Sequence, residues 1–66
     1  MKIDFLFLEF YIKKKYDQSV EQYFNITKQS VSAWRTSNEV SDKRLFEFCS
    51  REGSIDIEKL FKNIYE

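Results

Sequence analysis

Lys28, Gln29, Ser30, Ser32, Ala33, Arg35 and Thr36 form a run in which nearly every outward position carries a small or hydrogen-bonding side chain and no carboxylate. Amides, hydroxyls and cations of this kind donate to and accept from the edges of base pairs. On a helix they present a surface that fits a DNA major groove. The two apolar residues interleaved with them, Val31 and Trp34, are three apart and therefore share the opposite, inward face. Thr27, just before the run, is a good N-cap, which predicts a helix over 28–36.

What positions that helix is the stretch before it. Val20, Tyr23 and Phe24 recur at helical spacing, and Asn25 then breaks the phase, because asparagine tolerates the left-handed backbone that ends a helix and turns the chain. This predicts a short helix over 18–24 with Asp17 as its cap, a tight turn at Asn25, Ile26 plugging the corner, and Gln18 and Thr27 placed to hold phosphates. Upstream, Ile3–Ile12 is strongly apolar yet interrupted by Asp4 and Glu9 and far too short to span a bilayer. It lacks the basic leader and small-residue cleavage site of a signal peptide. It reads as a helix over 4–14, capped by Asp4 and closed by Lys13, Lys14 and Lys15 at the negative end of the helix dipole.

Downstream, Thr36–Glu39 reads as a polar loop and 41–51 as a fourth helix with Leu45, Phe46, Phe48 and Cys49 facing inward. Gly53 stands where a helix C-cap wants positive φ. A fifth helix follows Ser54-Ile55-Asp56, with Ile57, Leu60, Phe61, Ile64 and Tyr65 at i, i+3, i+4, i+7 and i+8. The expected architecture is a single all-α domain over 1–66, a compact bundle of about five short helices with a helix-turn-helix.

Over about residues 17–61 the chain resembles the helix-turn-helix domains of temperate-phage CI- and Cro-type repressors. ITKQSVSAW carries the core of the likeness, and EVSDKRLFEFCSREGSIDIEKLF resembles the family's fourth helix, Gly-containing turn and fifth helix. The resemblance implies a lambda-repressor-like fold and a transcriptional regulator that binds a double-stranded operator as a homodimer and occludes a promoter. Two positions depart from the family pattern: Asn25 replaces the usual turn glycine, and Glu21 occupies the usual small-residue slot. A carboxylate at a tight helix crossing costs desolvation. Glu21 therefore leans to solvent or bonds a nearby basic side chain, or the turn is one residue longer and Val20 fills the slot.

Composition bounds the alternatives. The chain has 66 residues, no proline, one glycine and eleven aromatic Phe and Tyr residues plus one Trp, which favours a packed helical domain over a disordered tail. With no histidine and a lone Cys49, neither a disulfide nor an ordinary zinc site can form within the chain, and a reducing cytoplasm fits. The absence of a metal-ligand cluster, of a Gly-rich phosphate loop and of room for a large pocket argues against an enzyme, and no cofactor is expected.

Eleven basic and eleven acidic residues cancel overall. Lys13, Lys14, Lys15, Lys28 and Arg35 outweigh Asp17 and Glu21 over residues 13–35, a net of +3, whereas residues 36–66 hold five basic and seven acidic residues, a net of −2. DNA affinity draws on phosphate neutralisation, so a neutral chain is expected to rely on a dimer that doubles the contacts. Ile57, Leu60, Ile64 and Tyr65 are the expected dimer face. The competing expectation is a protein-interaction module of the same fold, resembling an antirepressor or antitoxin partner, that uses exposed aromatics on another protein.

Overall fold

The computed structural model describes residues 1–61, and within them five helices follow one another: α1 Phe5–Tyr16, α2 Val20–Phe24, α3 Lys28–Ser37, α4 Asp42–Arg51 and α5 Ile57–Leu60. The all-α bundle is thus what folds. Among the described residues the only extended pairing is an isolated antiparallel bridge between Lys2 and Glu39. No described helix is long and apolar enough to cross a membrane.

Each boundary has a local cause. Asp4 caps α1 by accepting from the Phe7 amide at 3.3 Å, while the Asn38 side chain takes the Phe5 amide at 3.3 Å, so two of the orphan donors at this end are satisfied. The α1 helix runs two residues past the expected 14, and Asp17 ends it in the left-handed region at φ 54° instead of opening α2. Ser19 caps α2, in a reciprocal box: its hydroxyl accepts from the Gln22 amide at 3.3 Å and the Gln22 side chain accepts from the Ser19 amide at 2.9 Å. Ser19 prevails over Asp17 because only Ser19 has a Gln three residues on to close the box.

Asn25 does end α2 with left-handed geometry at φ 55°, and the amides of both Asn25 and Ile26 return to the Glu21 carbonyl. The expected polar loop at 36–39 begins later, since Thr36 and Ser37 complete α3 and Asn38 closes it at φ 55°. Gly53 does not have positive φ; the α4 C-cap is Glu52 at φ −109°, so no left-handed residue is required there.

The core gathers one face of each helix: Phe5, Leu8 and Ile12 of α1, Val20 and Phe24 of α2, Val31 of α3, Leu45 and Phe48 of α4, and Leu60 of α5. The α1 helix packs against α2, α3 and α5. The segment before it is pinned on two sides, by Ile3 amide to Asn38 carbonyl at 2.8 Å and Asp4 amide to Leu60 carbonyl at 2.7 Å. Ring contacts finish the packing, with Trp34 half-buried and edge-on to Phe24 at 5.5 Å and Phe48 meeting Tyr11 and Tyr23 edge-on at 5.8 and 5.7 Å.

One inward assignment changes, and two are refined. Phe46 is 75% exposed, because Leu45 and Phe48 already occupy the buried side of α4 and residue 46 falls on the other. Cys49 does face the core, half-buried against it, and burial raises its thiol pKa. At the α2 crossing Val20 is the buried residue, while Glu21 is half-buried and has no ion pair among the described residues.

Candidate nucleic-acid interface

The α3 helix stands on α2 through the turn of Asn25, Ile26 and Thr27. Val31 is buried and Trp34 half-buried on its inner side, so Lys28, Gln29, Ser32, Ala33 and Thr36 share one exposed outer arc, roughly half the helix circumference at 3.6 residues per turn. The helix contains no acidic residue in its first turn or beyond.

The polar groups of α3 divide into those already engaged and those free to meet a ligand. Thr27 caps the helix, accepting from the Ser30 amide at 3.1 Å, and its hydroxyl also pairs with that of Ser30 at 3.1 Å. The Thr36 hydroxyl donates to the Ser32 carbonyl at 3.0 Å and that of Ser37 to the Ala33 carbonyl at 2.9 Å. Among the described residues the side chains of Lys28, Gln29 and Ser32 make no hydrogen bond or ion pair within the protein, and Ala33 leaves a shallow space beside them. Gln18 is half-buried just ahead of the α2 cap, near the base of the same unit.

The cations expected to surround this face are mostly paired. Arg35 reaches back to Glu9 on α1 at 2.6 Å and lies over the Phe5 ring at 5.5 Å. Lys13 pairs with Asp17 at 2.7 Å, and this hydrogen bond lowers the Asp17 pKa. Lys14 sits 5.9 Å from the Phe10 ring centre. Of the five basic residues counted over 13–35, only Lys14 and Lys28 lack a carboxylate partner among the described residues, so the net of +3 overstates what a phosphate meets.

Lys15 leads to a feature that sequence reasoning missed. Glu52 is 1% exposed, and four donors surround its carboxylate: Lys15 at 2.7 Å and Tyr11 at 3.0 Å on Oε1, Tyr16 at 2.6 Å and Tyr23 at 3.0 Å on Oε2. Burial alone would raise the Glu52 pKa, but the bonds from Lys15 and the three tyrosines prevail and hold it down at about 2. The same contacts raise their partners: burial and then the bond to Glu52 push Tyr23 up to about 12, and the bond to Glu52 raises Tyr16 and Lys15. The cluster ties α1 and α2, the helix on which α3 stands, to the end of α4. Nothing local signals it, since Glu52 lies 29 to 41 residues from its tyrosines.

The expected dimer face is divided. Ile57 is 48% exposed and available, but Leu60 is fully buried because α5 turns it beneath α1, so it belongs to the chain's own core. Ile64 and Tyr65 lie outside the described residues. No protein family, no curated protein sequence and no solved structure matches this chain.

Proposed function

We propose that the protein is a sequence-specific DNA-binding regulator, not an enzyme, acting in the cytoplasm, in which α3 enters the major groove of a double-stranded operator. The observation that carries this reading is the outer face of α3: exposed, free of carboxylates, and presenting Lys28, Gln29 and Ser32 without partners among the described residues. Gln29 suits adenine through its amide, Lys28 guanine or phosphate, and Ala33 contact with a thymine methyl. The likeness to CI- and Cro-type repressors supports the same reading and adds a homodimer on a palindromic site. Two-fold pairing of this kind would present two α3 helices to half-sites about 34 Å apart.

The test is a salt series of binding to duplex DNA taken from the flanks of the gene, followed by fluorescence anisotropy. Log K is expected to fall by about 0.9 for each phosphate neutralised, with a shallow slope because few cations are free. Gln29→Ala loses roughly 1–3 kcal/mol of discrimination at one base position. Ser32→Glu abolishes binding while leaving the circular dichroism unchanged. A wild type that binds no DNA at low salt overturns the proposal. That result would favour a protein-interaction module, the reading supported by the internal pairing of Lys13, Lys15 and Arg35 and by exposed Leu6 and Phe46.

A further inference from the structure

The α1 helix has two working sides. Phe5 and Glu9 face Arg35 of α3, whereas Phe7, Phe10, Tyr11 and Lys14 centre roughly 170° further round at 3.6 residues per turn. On that second side is an open groove of about 540 Å³ lined by Phe7, Phe10, Tyr11, Lys14, Lys15 and Lys59. Its floor is aromatic, its rim carries three lysines, and among the described residues no carboxylate lines it. Lys15 is neutralised by Glu52, but Lys14 and Lys59 have no carboxylate partner among the described residues. Phe10 is 64% exposed, and Leu6, one turn before it, is 67% exposed, so the apolar floor continues along the helix.

We propose that this groove docks an acidic, amphipathic segment of a second protein, with apolar side chains on Phe7 and Phe10 and carboxylates at Lys14 and Lys59. Charge complementarity selects the occupant: a groove with an apolar floor and, among the described residues, two ammonium groups without a carboxylate partner and no acid in its lining favours a ligand with the opposite charge and an apolar stripe. A nucleic-acid strand fits less well. Single-strand binding joins stacked rings to a groove of cations that tracks the backbone, and here only Lys14 and Lys59 lack a carboxylate partner among the described residues. Because the groove is turned away from the Arg35 edge of α3, a partner seated there leaves the α3 face open. The proposal does not rest on DNA binding.

The experiment titrates the full chain into fluorescent peptides. One has Leu at i, i+3, i+4 and i+7 with Glu elsewhere; a second has Lys in place of Glu; a third probe is single-stranded oligothymidine. The acidic peptide is expected to bind and the basic one not to bind. Phe10→Ala weakens the acidic peptide by about tenfold or more, because a ring buried on binding is lost. Lys14→Glu with Lys59→Glu removes its salt dependence. All three positions are exposed, so circular dichroism stays at wild type. No binding of the acidic peptide, equal binding of the basic one, indifference to Phe10→Ala, or oligothymidine bound more tightly through Phe10 each overturns the assignment. So does concentration-dependent self-association abolished by Phe10→Ala, which would make a second copy the occupant.

Discussion

The Glu52 cluster and the outer face of α3 are both rich in hydrogen-bonding side chains, yet they are opposites. At Glu52 one carboxylate is removed from water and surrounded by four donors drawn from two other helices. On α3, Lys28, Gln29 and Ser32 stand in solvent with no partner among the described residues. A buried charge must have its bonds completed within the fold or it destabilises the fold, whereas an exposed polar group has its bonds completed by water and can exchange them for a ligand. The first arrangement holds helices together. The second leaves them something to read with.

The largest effect follows from breaking the buried side. Glu52→Ala removes the acceptor that joins α1, α2 and α4 and leaves a void, at a cost of about 3 kcal/mol. For a domain this small, with a total stability of roughly 3–10 kcal/mol, that is a large fraction. Urea denaturation checks it: a midpoint within error of wild type would show that the cluster does not hold the fold. The same loss is not expected on α3, where Gln29→Ala leaves the midpoint in place.

Acid sharpens the contrast. Glu52 titrates near the ordinary 4.5 in the unfolded chain and near about 2 in the fold. The unfolded state therefore takes up its proton first. The stabilisation is fully present above about pH 4.5 and is lost as pH falls through about 2. Urea midpoints measured from pH 7 to pH 2 are expected to fall over the lower part of that window. The fall should be visibly shallower in Glu52→Gln, and equal slopes in the two proteins would assign acid sensitivity to other carboxylates.

The smallest effect on stability is the most informative for α3. Glu9→Gln breaks a half-exposed ion pair worth about 0–1 kcal/mol, so the fold barely changes. It frees Arg35 at the edge of the proposed DNA face, and the salt slope is expected to steepen by about 0.9 as one more phosphate is neutralised. Tighter and more salt-dependent DNA binding by Glu9→Gln supports α3 as the reader, and an unchanged slope places Arg35 outside the interface.

The helices, the left-handed turn at Asn25 and the caps at Asp4 and Thr27 were readable from sequence because each depends on residues within one turn of chain. Some departures from these expectations are local in origin as well. Asp17 and Ser19 are both acceptable caps, and the Gln22 box decides between them. Hydrophobicity alone points Phe46 inward, whereas Leu45 and Phe48 settle which side of α4 is buried. The α3 face was legible for the same reason as the caps, since helical period alone separates Val31 and Trp34 from Lys28, Gln29 and Ser32.

By itself, then, the sequence determined the helical elements, their order and the identity of the polar face on α3, because helix period, capping and turn chemistry act over a few residues. Which charges remain free was decided only in three dimensions. Arg35 is neutralised by a carboxylate 26 residues away and Lys15 by one 37 residues away. Leu60 was one member of an apolar stripe until packing under α1 made it core. Ion pairing and burial depend on distances between segments remote in the chain, and those distances exist only once the helices have packed.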